Sequence, residues 1–159
     1  MKITKATQKN IPNLAQLLWE FSQDTWKEFQ EPRHKPKPKK EFIPAAKTVF
    51  KQRLEDGKHI IFIAEEQEPI GMLVCRIDIY QPSLYEISES LYMEWLFVRK
   101  EHRRNKIATQ LVEKAFEEVK TRNIKLINVT TPIESPRNIK FYESLGFDKK
   151  YHQLYTVID

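Results

Sequence analysis

Apolar residues recur at every third or fourth position in four segments of the chain, which is the spacing of one helix face. These segments are 11–21, 44–56, 107–119 and 136–145. Asn10 as N-cap and Pro12 in the first turn are typical of a helix start. The first helix either continues through Trp26 and Phe29 or gives way there to a loop. The pattern therefore predicts four helices, the second of which ends at Gly57.

Shorter apolar or alternating segments between the helices predict β-strands. They lie at 1–7, 60–64, 70–79, 91–98 and 126–130, with one or two more strands in 147–157. Residues 65–69 form a polar turn, which predicts an antiparallel hairpin, whereas 81–90 is a polar, acidic interruption. The order of helices and strands predicts an α/β layer with a mixed sheet.

The segment 31–40 is rich in proline and cannot form a regular helix, because each proline removes a backbone donor and disfavours helix at the preceding residue. It is too short to separate domains, and 159 residues is the usual size of one compact domain. We therefore expect a single domain over residues 1–159, with a flexible loop after the first helix.

The net charge of +5 is unevenly placed along the chain. Residues 33–40 carry +5 and residues 99–106 carry +4, so the remainder is net −4. This concentration of basic residues favours local anion-binding sites over a general nucleic-acid coat.

Scarce glycine, cysteine and histidine exclude several classes of site. Three scattered glycines cannot form a Walker loop or a dinucleotide-binding fingerprint. A single cysteine, Cys75, excludes an internal disulfide and a cysteine-cluster metal site, and the four histidines are dispersed, so no metal is expected. No apolar run approaches the roughly 18 residues of a membrane span, and no secretory stretch follows Met1. We expect a cytoplasmic protein without a membrane partner.

The helix predicted at 107–119 follows a cluster of cations, His102-Arg-Arg-Asn-Lys106. Helix N-termini carry a partial positive charge, so cations there are unfavourable unless an anion is bound. A strand, a turn and a helix N-terminus also form the arrangement in which backbone amides hold phosphate. The sequence favours a phosphate site at 103–109, and the alternative is a solvated basic loop.

Two segments together resemble the GNAT superfamily of N-acetyltransferases. Residues 98–108 are similar to its acyl-CoA-binding motif, Gln/Arg-x-x-Gly-x-Gly/Ala, with Arg103 at the first position and Ala108 at the last. Arg104 and Lys106 stand where the family commonly has glycine. Residues 138–147 are similar to a later motif, in which a helix carrying Phe-Tyr ends at Gly-Phe. The resemblance spans essentially the whole chain.

This resemblance implies an α/β, GNAT-like fold with a mixed, mostly antiparallel sheet of six to seven strands and about four helices. It implies an acyltransferase that uses acetyl-CoA as acetyl donor and requires no metal. We expect the acceptor amine to attack directly, through a tetrahedral intermediate. The residues that the resemblance assigns to the coenzyme are Leu96, Phe97, Val98, Arg103, Arg104, Asn105, Lys106, Ile107, Ala108, Thr109 and Asn138.

Tyr142 is the candidate general acid. A phenol with a pKa near ~10 stays protonated at neutral pH and can protonate a thiolate whose acid has a pKa near ~8.5. In the alternative, the Tyr142 ring only packs on the sheet.

Glu94 is the candidate base, because it stands in the apolar strand 91–98. A buried carboxylate without a partner is costly, and burial raises the pKa of a carboxyl group toward that of a useful base. In the alternative, Glu94 points to solvent or pairs with a lysine.

The acceptor is expected to be a small primary amine, and a peptide N-terminus or lysine is the enzymatic alternative. A non-catalytic acyl-CoA-binding module is a second alternative. A third is a nucleic-acid-binding domain that uses residues 33–40 as an arm, although a solvated linker is favoured for that segment. The last predicted strands allow a homodimer without requiring one.

Overall fold

A mixed β-sheet with helices on both faces forms the described part of the chain. In a computed structural model this part is residues 1–150, apart from the side chain of Arg33. The strands are β1 (Lys2–Lys5), β2 (His59–Glu65), β3 (Pro69–Ile79), β4 (Glu89–Val98) and β5 (Ile127–Val129). The helices are α1 (Ile11–Phe29), α2 (Lys39–Glu55), α3 (Ile107–Thr121) and α4 (Pro136–Ser144).

The strands are arranged in sequence order, β1-β2-β3-β4-β5. Neighbours are antiparallel except β4 and β5, which are parallel and joined by the crossover through α3. The α/β class, the mostly antiparallel sheet and the hairpin of β2 and β3 were all predicted from the sequence and are confirmed.

Both faces of the central strands are buried. Alternate residues Ile61, Ile63, Met72 and Val74 pack with α1 and α2, and their neighbours Ile60, Phe62, Leu73 and Cys75 pack with α3. A strand that is covered on both faces has a continuous run of apolar residues in its sequence. This is why the segment 60–64 shows no alternation of apolar and polar residues.

Several predicted boundaries are corrected. The helix α1 continues to Phe29. Asn10 stands at its N-cap position, but its Oδ1 accepts a hydrogen bond of 2.9 Å from the Thr7 amide, outside the helix. The helix α2 begins at Lys39, immediately after Pro38, and contains Pro44 near its start. As the sixth residue of the helix, Pro44 lies beyond the first four amides, so it removes one intrahelical hydrogen bond, the one to the Lys40 carbonyl.

The predicted count of six to seven strands exceeds the five strands that residues 1–150 form. Residues 147–150 are not a strand, and the rest of the predicted terminal segment, 151–157, lies outside the described residues. Within residues 1–150, no helix combines the length and hydropathy needed to cross a membrane.

The strand β4 contains a β-bulge at Glu94. Val74 of β3 pairs with Trp95 and Cys75 pairs with Met93, so Glu94 is the extra residue between two regular pairs. A bulge of this kind reverses which side of the strand each later residue faces. Residues 95–98 therefore have the opposite alternation to residues 89–93.

Candidate functional site

An opening between β4 and β5 is the central feature of the site. The two strands pair only from Leu91 to Met93, so in the described chain residues 94–98 of β4 have no strand on that side. The Arg99 amide donates to the Ile70 carbonyl at 2.9 Å, whereas the Val98 carbonyl accepts from Arg103 Nε at 2.8 Å. Main-chain groups alternate in direction along a strand. Those of Leu96 and Val98 therefore face the opening.

Of the three strand residues assigned to the coenzyme, Phe97 behaves differently. Its carbonyl faces β3, where a Cβ on Gly71 would come within 2.8 Å of it. Its ring is buried against α1, with the Phe21 ring centroid 6.1 Å away. The geometry thus offers main-chain donors at Leu96 and Val98, while Phe97 holds the strand against α1.

The turn 103–109 continues from the opening into the start of α3. The first helical hydrogen bond recorded there runs from the Gln110 amide to the Lys106 carbonyl, at 3.0 Å. In the described residues, the amides of 104–109 have no recorded backbone acceptor. Several unpaired amides at one helix end form an anion-binding arrangement. The predicted phosphate site therefore has the donors that it needs.

Arg104 and Lys106, at the positions where the motif has glycine, adopt left-handed backbone conformations. Their φ angles are 68° and 58°. Such conformations are accessible to glycine and cost an L-residue about 1–2 kcal/mol. The turn thus retains a glycine-like backbone although it carries two long cationic side chains, both of them exposed.

Three other cations of the basic segment 99–106, namely Arg99, Lys100 and Arg103, form ion pairs with acidic residues of α1. Arg103 Nη2 contacts Asp24 Oδ2 at 2.7 Å, and Lys100 reaches the other Asp24 oxygen at 3.4 Å. Arg99 bonds to Glu20 at 2.9 Å and to Glu68 at 2.8 Å. The Arg103 guanidinium, expected at the coenzyme, therefore already joins the end of β4 to α1. Within residues 1–150, Arg104 and Lys106 have no recorded ion pair and present free positive charge at the turn.

Buried polar atoms without partners lie on β5 and on the segment that follows it. In the described chain these atoms are Asn128 Oδ1, Thr131 Oγ1 and Ser135 Oγ. Leaving a buried polar group unpaired costs about 1–3 kcal/mol, so these three atoms are available to a polar partner from outside the described residues, whether solvent or a ligand. The sequence analysis did not select these residues, since isolated polar residues in a short strand and loop give no signal by themselves. Asn138, which it did select, is half-buried in the first turn of α4.

Tyr142 packs against the α3 side of the sheet. Its ring lies 5.1 Å from that of Phe141 and 5.6 Å from that of Phe147. Burial raises its pKa above 10.0, and the nearby Cys75 and Tyr92 raise it further. The hydroxyl therefore stays protonated throughout the neutral range. The ring packing expected in one alternative is present, and the general-acid role of the other stays a prediction.

Glu94 is buried on the α2 side, with 8% of its side chain exposed. Oε2 accepts a hydrogen bond from Arg53 Nη1, and Oε1 accepts one of 2.7 Å from Arg76 Nη1. Glu94 is therefore ion-paired, as the alternative expected, but with two arginines and not with a lysine or solvent, and it is not the unpartnered buried carboxylate on which the base assignment depended. Its role as a base stays a prediction. The Arg53 guanidinium also stacks on Trp95, at 4.1 Å from its ring centroid.

His59, at the start of β2, lies beside this ion-pair cluster. Its Nδ1 is 2.6 Å from Asp56 Oδ2, and its Nε2 is 3.7 Å from Glu94 Oε2. The Nε2 atom is buried and has no hydrogen-bond partner within residues 1–150. The sequence analysis missed His59. Its only local signal is Asp56 three residues earlier, whose Oδ1 accepts from the Lys58 and His59 amides at 2.8 and 3.0 Å.

Across the described residues, no group of three or more His, Cys, Asp or Glu side chains has a geometry suited to a metal ion. The only cysteine, Cys75, is a buried free thiol whose pKa is raised, chiefly by burial.

Known proteins resemble this chain in sequence and in fold. A sequence model of the acetyltransferase (GNAT) family matches residues 14–147. N-alpha-acetyltransferase 30 of Schizosaccharomyces pombe is 27% identical over 113 residues, which cover 70% of this chain and 72% of that protein.

Two solved structures share the fold over nearly their whole length. A predicted acetyltransferase from Clostridium acetobutylicum, solved with acetyl-CoA, has a TM-score of 0.77 at 20% identity and covers 98% of this chain and 95% of its own. Aminoglycoside 6'-N-acetyltransferase AAC(6')-IG from Acinetobacter haemolyticus has a TM-score of 0.75 at 18% identity and covers 100% and 99%.

Proposed function

Because the chain belongs to the GNAT family of acetyl-CoA-dependent acetyltransferases, we propose that it transfers acetyl to a primary amine by direct attack. The observation that carries this proposal is the opening between β4 and β5. It presents the main-chain groups of Leu96 and the amide of Val98, whose carbonyl accepts from Arg103, and it continues into the amide-lined turn 104–109. Acetyl-CoA supplies an activated thioester and a diphosphate, and the two parts of the opening suit these two groups.

The turn 104–109 is proposed to hold the diphosphate. Its amides point to no recorded backbone acceptor in the described residues, and Arg104 and Lys106 add two unpaired cations. Ile107, Ala108 and Thr109 contribute amides at the N-terminus of α3, where the helix dipole adds further attraction for an anion. Asn105 lies between the two left-handed residues and contributes its own amide.

The main-chain donors of β4 are proposed to polarise the thioester carbonyl. The Leu96 and Val98 amides face the opening and are fixed by the pairing of β4 with β3, so they need no rearrangement as negative charge develops. Fixed donors of this kind stabilise a developing oxyanion more than flexible ones do. The unpaired polar atoms of Asn128, Thr131 and Ser135 are proposed to bind the amide groups of the coenzyme arm.

Tyr142 is proposed as the general acid. As the carbon–sulfur bond breaks, its hydroxyl proton passes to the leaving sulfur. The hydroxyl is protonated at neutral pH because burial raises its pKa. Its ring packs on the core cluster that includes Met93, one residue before the bulge of β4.

Glu94 is proposed to act on the acceptor amine from the opposite face of the sheet. It stands on the bulge of β4, two residues from Leu96, and its carboxylate lies on the α2 side. An amine that approaches from that side meets a buried anion next to the donor groups. Glu94 then stabilises the ammonium and receives its proton, directly or through water.

A small amine is the proposed acceptor, and a peptide N-terminus is the second candidate. The observation that supports a peptide N-terminus is the 27% identity with an N-alpha-acetyltransferase. A thiol-release screen separates them, using aminoglycosides, polyamines, lysine peptides and peptides with free or blocked N-termini. We expect saturable release with at least one small amine. Release with free N-termini alone would select the second candidate, and coenzyme binding without release would indicate a non-catalytic module.

The single domain over residues 1–159, the cytoplasmic location and the homodimer stay predictions. One sheet joins β1 to β5, which supports a single domain. The buried free thiol of Cys75 suits a reducing compartment. Light scattering of the purified chain tests for the dimer.

A further inference from the structure

The Nε2 atom of His59 has no hydrogen-bond partner in the described chain, although it lies beside the buried carboxylate of Glu94. The His59 side chain is 10% exposed, and that of Glu94 is 8% exposed. Asp56 Oδ2 is a carboxylate oxygen that only accepts hydrogen bonds, so the Nδ1 atom 2.6 Å away must carry the ring proton. In a neutral ring, Nε2 then has a lone pair.

This lone pair faces a second acceptor. Nε2 is 3.7 Å from Glu94 Oε2 and has no hydrogen-bond donor in the described residues. Two buried acceptors that face each other without a proton repel, whereas a proton placed between them is stabilised by both. The arrangement is therefore suited to receive one proton.

The charged surroundings of the ring come from three elements and the turn after α2. Asp56 binds the ring from that turn. Burial raises the pKa of the Asp56 carboxyl, but hydrogen bonds from the Lys58 and His59 amides and from the His59 side chain outweigh burial, so this pKa is lowered. The charged groups around His59 are Asp56, Arg53 of α2, Arg76 and Asp78 of β3, and Glu94 of β4. With a neutral ring, these five groups have a net charge of −1, which one bound proton balances.

We infer that His59 is the proton acceptor behind Glu94, and that Asp56 fixes the tautomer that makes it so. The inference rests on the proposed function, since it assumes that the acceptor amine reaches Glu94. The N–H bond of the ammonium breaks, the proton passes by way of the Glu94 carboxylate to Nε2, and the amine keeps the electron pair with which it attacks. The resulting imidazolium is stabilised by both carboxylates and later loses its proton to solvent.

Asp56 and His59 have the geometry of a carboxylate–histidine pair. The carboxylate sets the tautomer and orientation of the ring, and the far nitrogen acts as the base. Both oxygens of Glu94 already accept hydrogen bonds from guanidinium groups, whereas Nε2 of His59 has a free lone pair, so Glu94 is the relay and His59 the final acceptor. An imidazole ordinarily changes charge between about pH 5 and pH 8, the range in which a base of this kind is effective.

His59→Asn tests the inference. The asparagine amide can still donate to Asp56, as Nδ1 does, but it removes the Nε2 lone pair. Asp56→Asn is the second variant. Its Oδ1 still accepts the Lys58 and His59 amides, while its NH₂ group faces Nδ1 and forces the ring proton onto Nε2. The exposed His34→Asn is the matched control. The measurements are the pH profiles of kcat/KM for the best amine, the KM for acetyl-CoA, and the unfolding temperature.

We expect kcat/KM of the wild type and of His34→Asn to rise with pH along one acidic limb. In His59→Asn this limb disappears and kcat falls at least tenfold, while the KM for acetyl-CoA is unchanged. Asp56→Asn lowers kcat in the same way. A wild-type limb retained in His59→Asn overturns the inference and leaves the proposed function intact. Absence of transfer to any amine by the wild type overturns both.

Discussion

Replacing Arg104 with glycine tests the turn where the motif departs most from its family pattern. The Arg104 φ angle of 68° lies in the left-handed region. That conformation costs an L-residue about 1–2 kcal/mol, whereas glycine loses about 0.5–1 kcal/mol more conformational free energy on folding. We therefore expect Arg104→Gly to stabilise the fold by about 0.5–1 kcal/mol. For a chain of this size, that raises the unfolding temperature by about 2 °C.

Arg104→Ala is the matched variant, because it removes the same charge but keeps a Cβ at the same φ. We expect it to be less stable than Arg104→Gly by about 1 kcal/mol. Both variants lose one exposed cation near the proposed diphosphate, so both weaken coenzyme A binding by the same few-fold factor, and the loss shrinks in high salt. Thermal unfolding and titration calorimetry of the three proteins separate the backbone effect from the charge effect.

An alanine variant as stable as the glycine variant would refute the argument that the turn is strained. Coenzyme A binding that differs between the alanine and glycine variants would show that the backbone at 104, and not the charge alone, shapes the diphosphate site. Unchanged binding in both variants would show that the amides suffice alone.

Three further predictions follow from single contacts. Tyr142→Phe keeps the ring packing and is expected to lower turnover at least tenfold with unchanged coenzyme A affinity; wild-type turnover would remove Tyr142 as the acid. Arg103→Ala loses the contacts with Asp24 and the Val98 carbonyl and is expected to destabilise the fold by about 1–2 kcal/mol, measured by urea unfolding. Glu118 has a pKa below 4.5, because hydrogen bonds from Lys5 and Arg122 outweigh the effect of burial. Its stabilisation is present above the ordinary carboxyl pKa and is lost as the pH falls through the lowered one, so Glu118→Gln is expected to be about 1 kcal/mol less stable at pH 7, with a difference that shrinks as the pH is lowered into the acid range.

The parts of the fold that the sequence predicts well are those governed by local periodicity. The continuous apolar run in β2 and the amphipathic spacing of α3 each reflect which faces are buried, and the predicted bounds of both elements agree with the structure to within two residues. The start of α2 was placed five residues late. The prolines of 31–40 predict a loop for that whole segment, whereas the helix begins directly after the last of them, Pro38, and includes Lys39 and Lys40.

The parts of the site that the sequence did not predict depend on contacts between distant segments. Arg103 matched a motif, but its engagement with Asp24 joins residues 79 positions apart. Likewise, Arg53 and Glu94 are 41 positions apart, and no local pattern reports such a pair. The bulge depends on the pairing between β3 and β4, and a single strand does not reveal its own register.

The extra residue in β4 limits which sequence changes this strand can accept. Before Glu94, the odd-numbered Leu91 directs its amide toward β5, with a bond of 2.9 Å to the Leu126 carbonyl; after it, the even-numbered Val98 faces that way. If residues 89–98 formed a regular ladder without the bulge, the Leu96 and Val98 amides would face β3, and Phe97 and Val98 would exchange buried faces. A residue added or removed between Glu94 and Val98 would have the same effect. Residues 95–98 therefore accept changes of side chain more readily than changes of length. In natural or engineered variants we expect their composition to vary while their spacing stays constant.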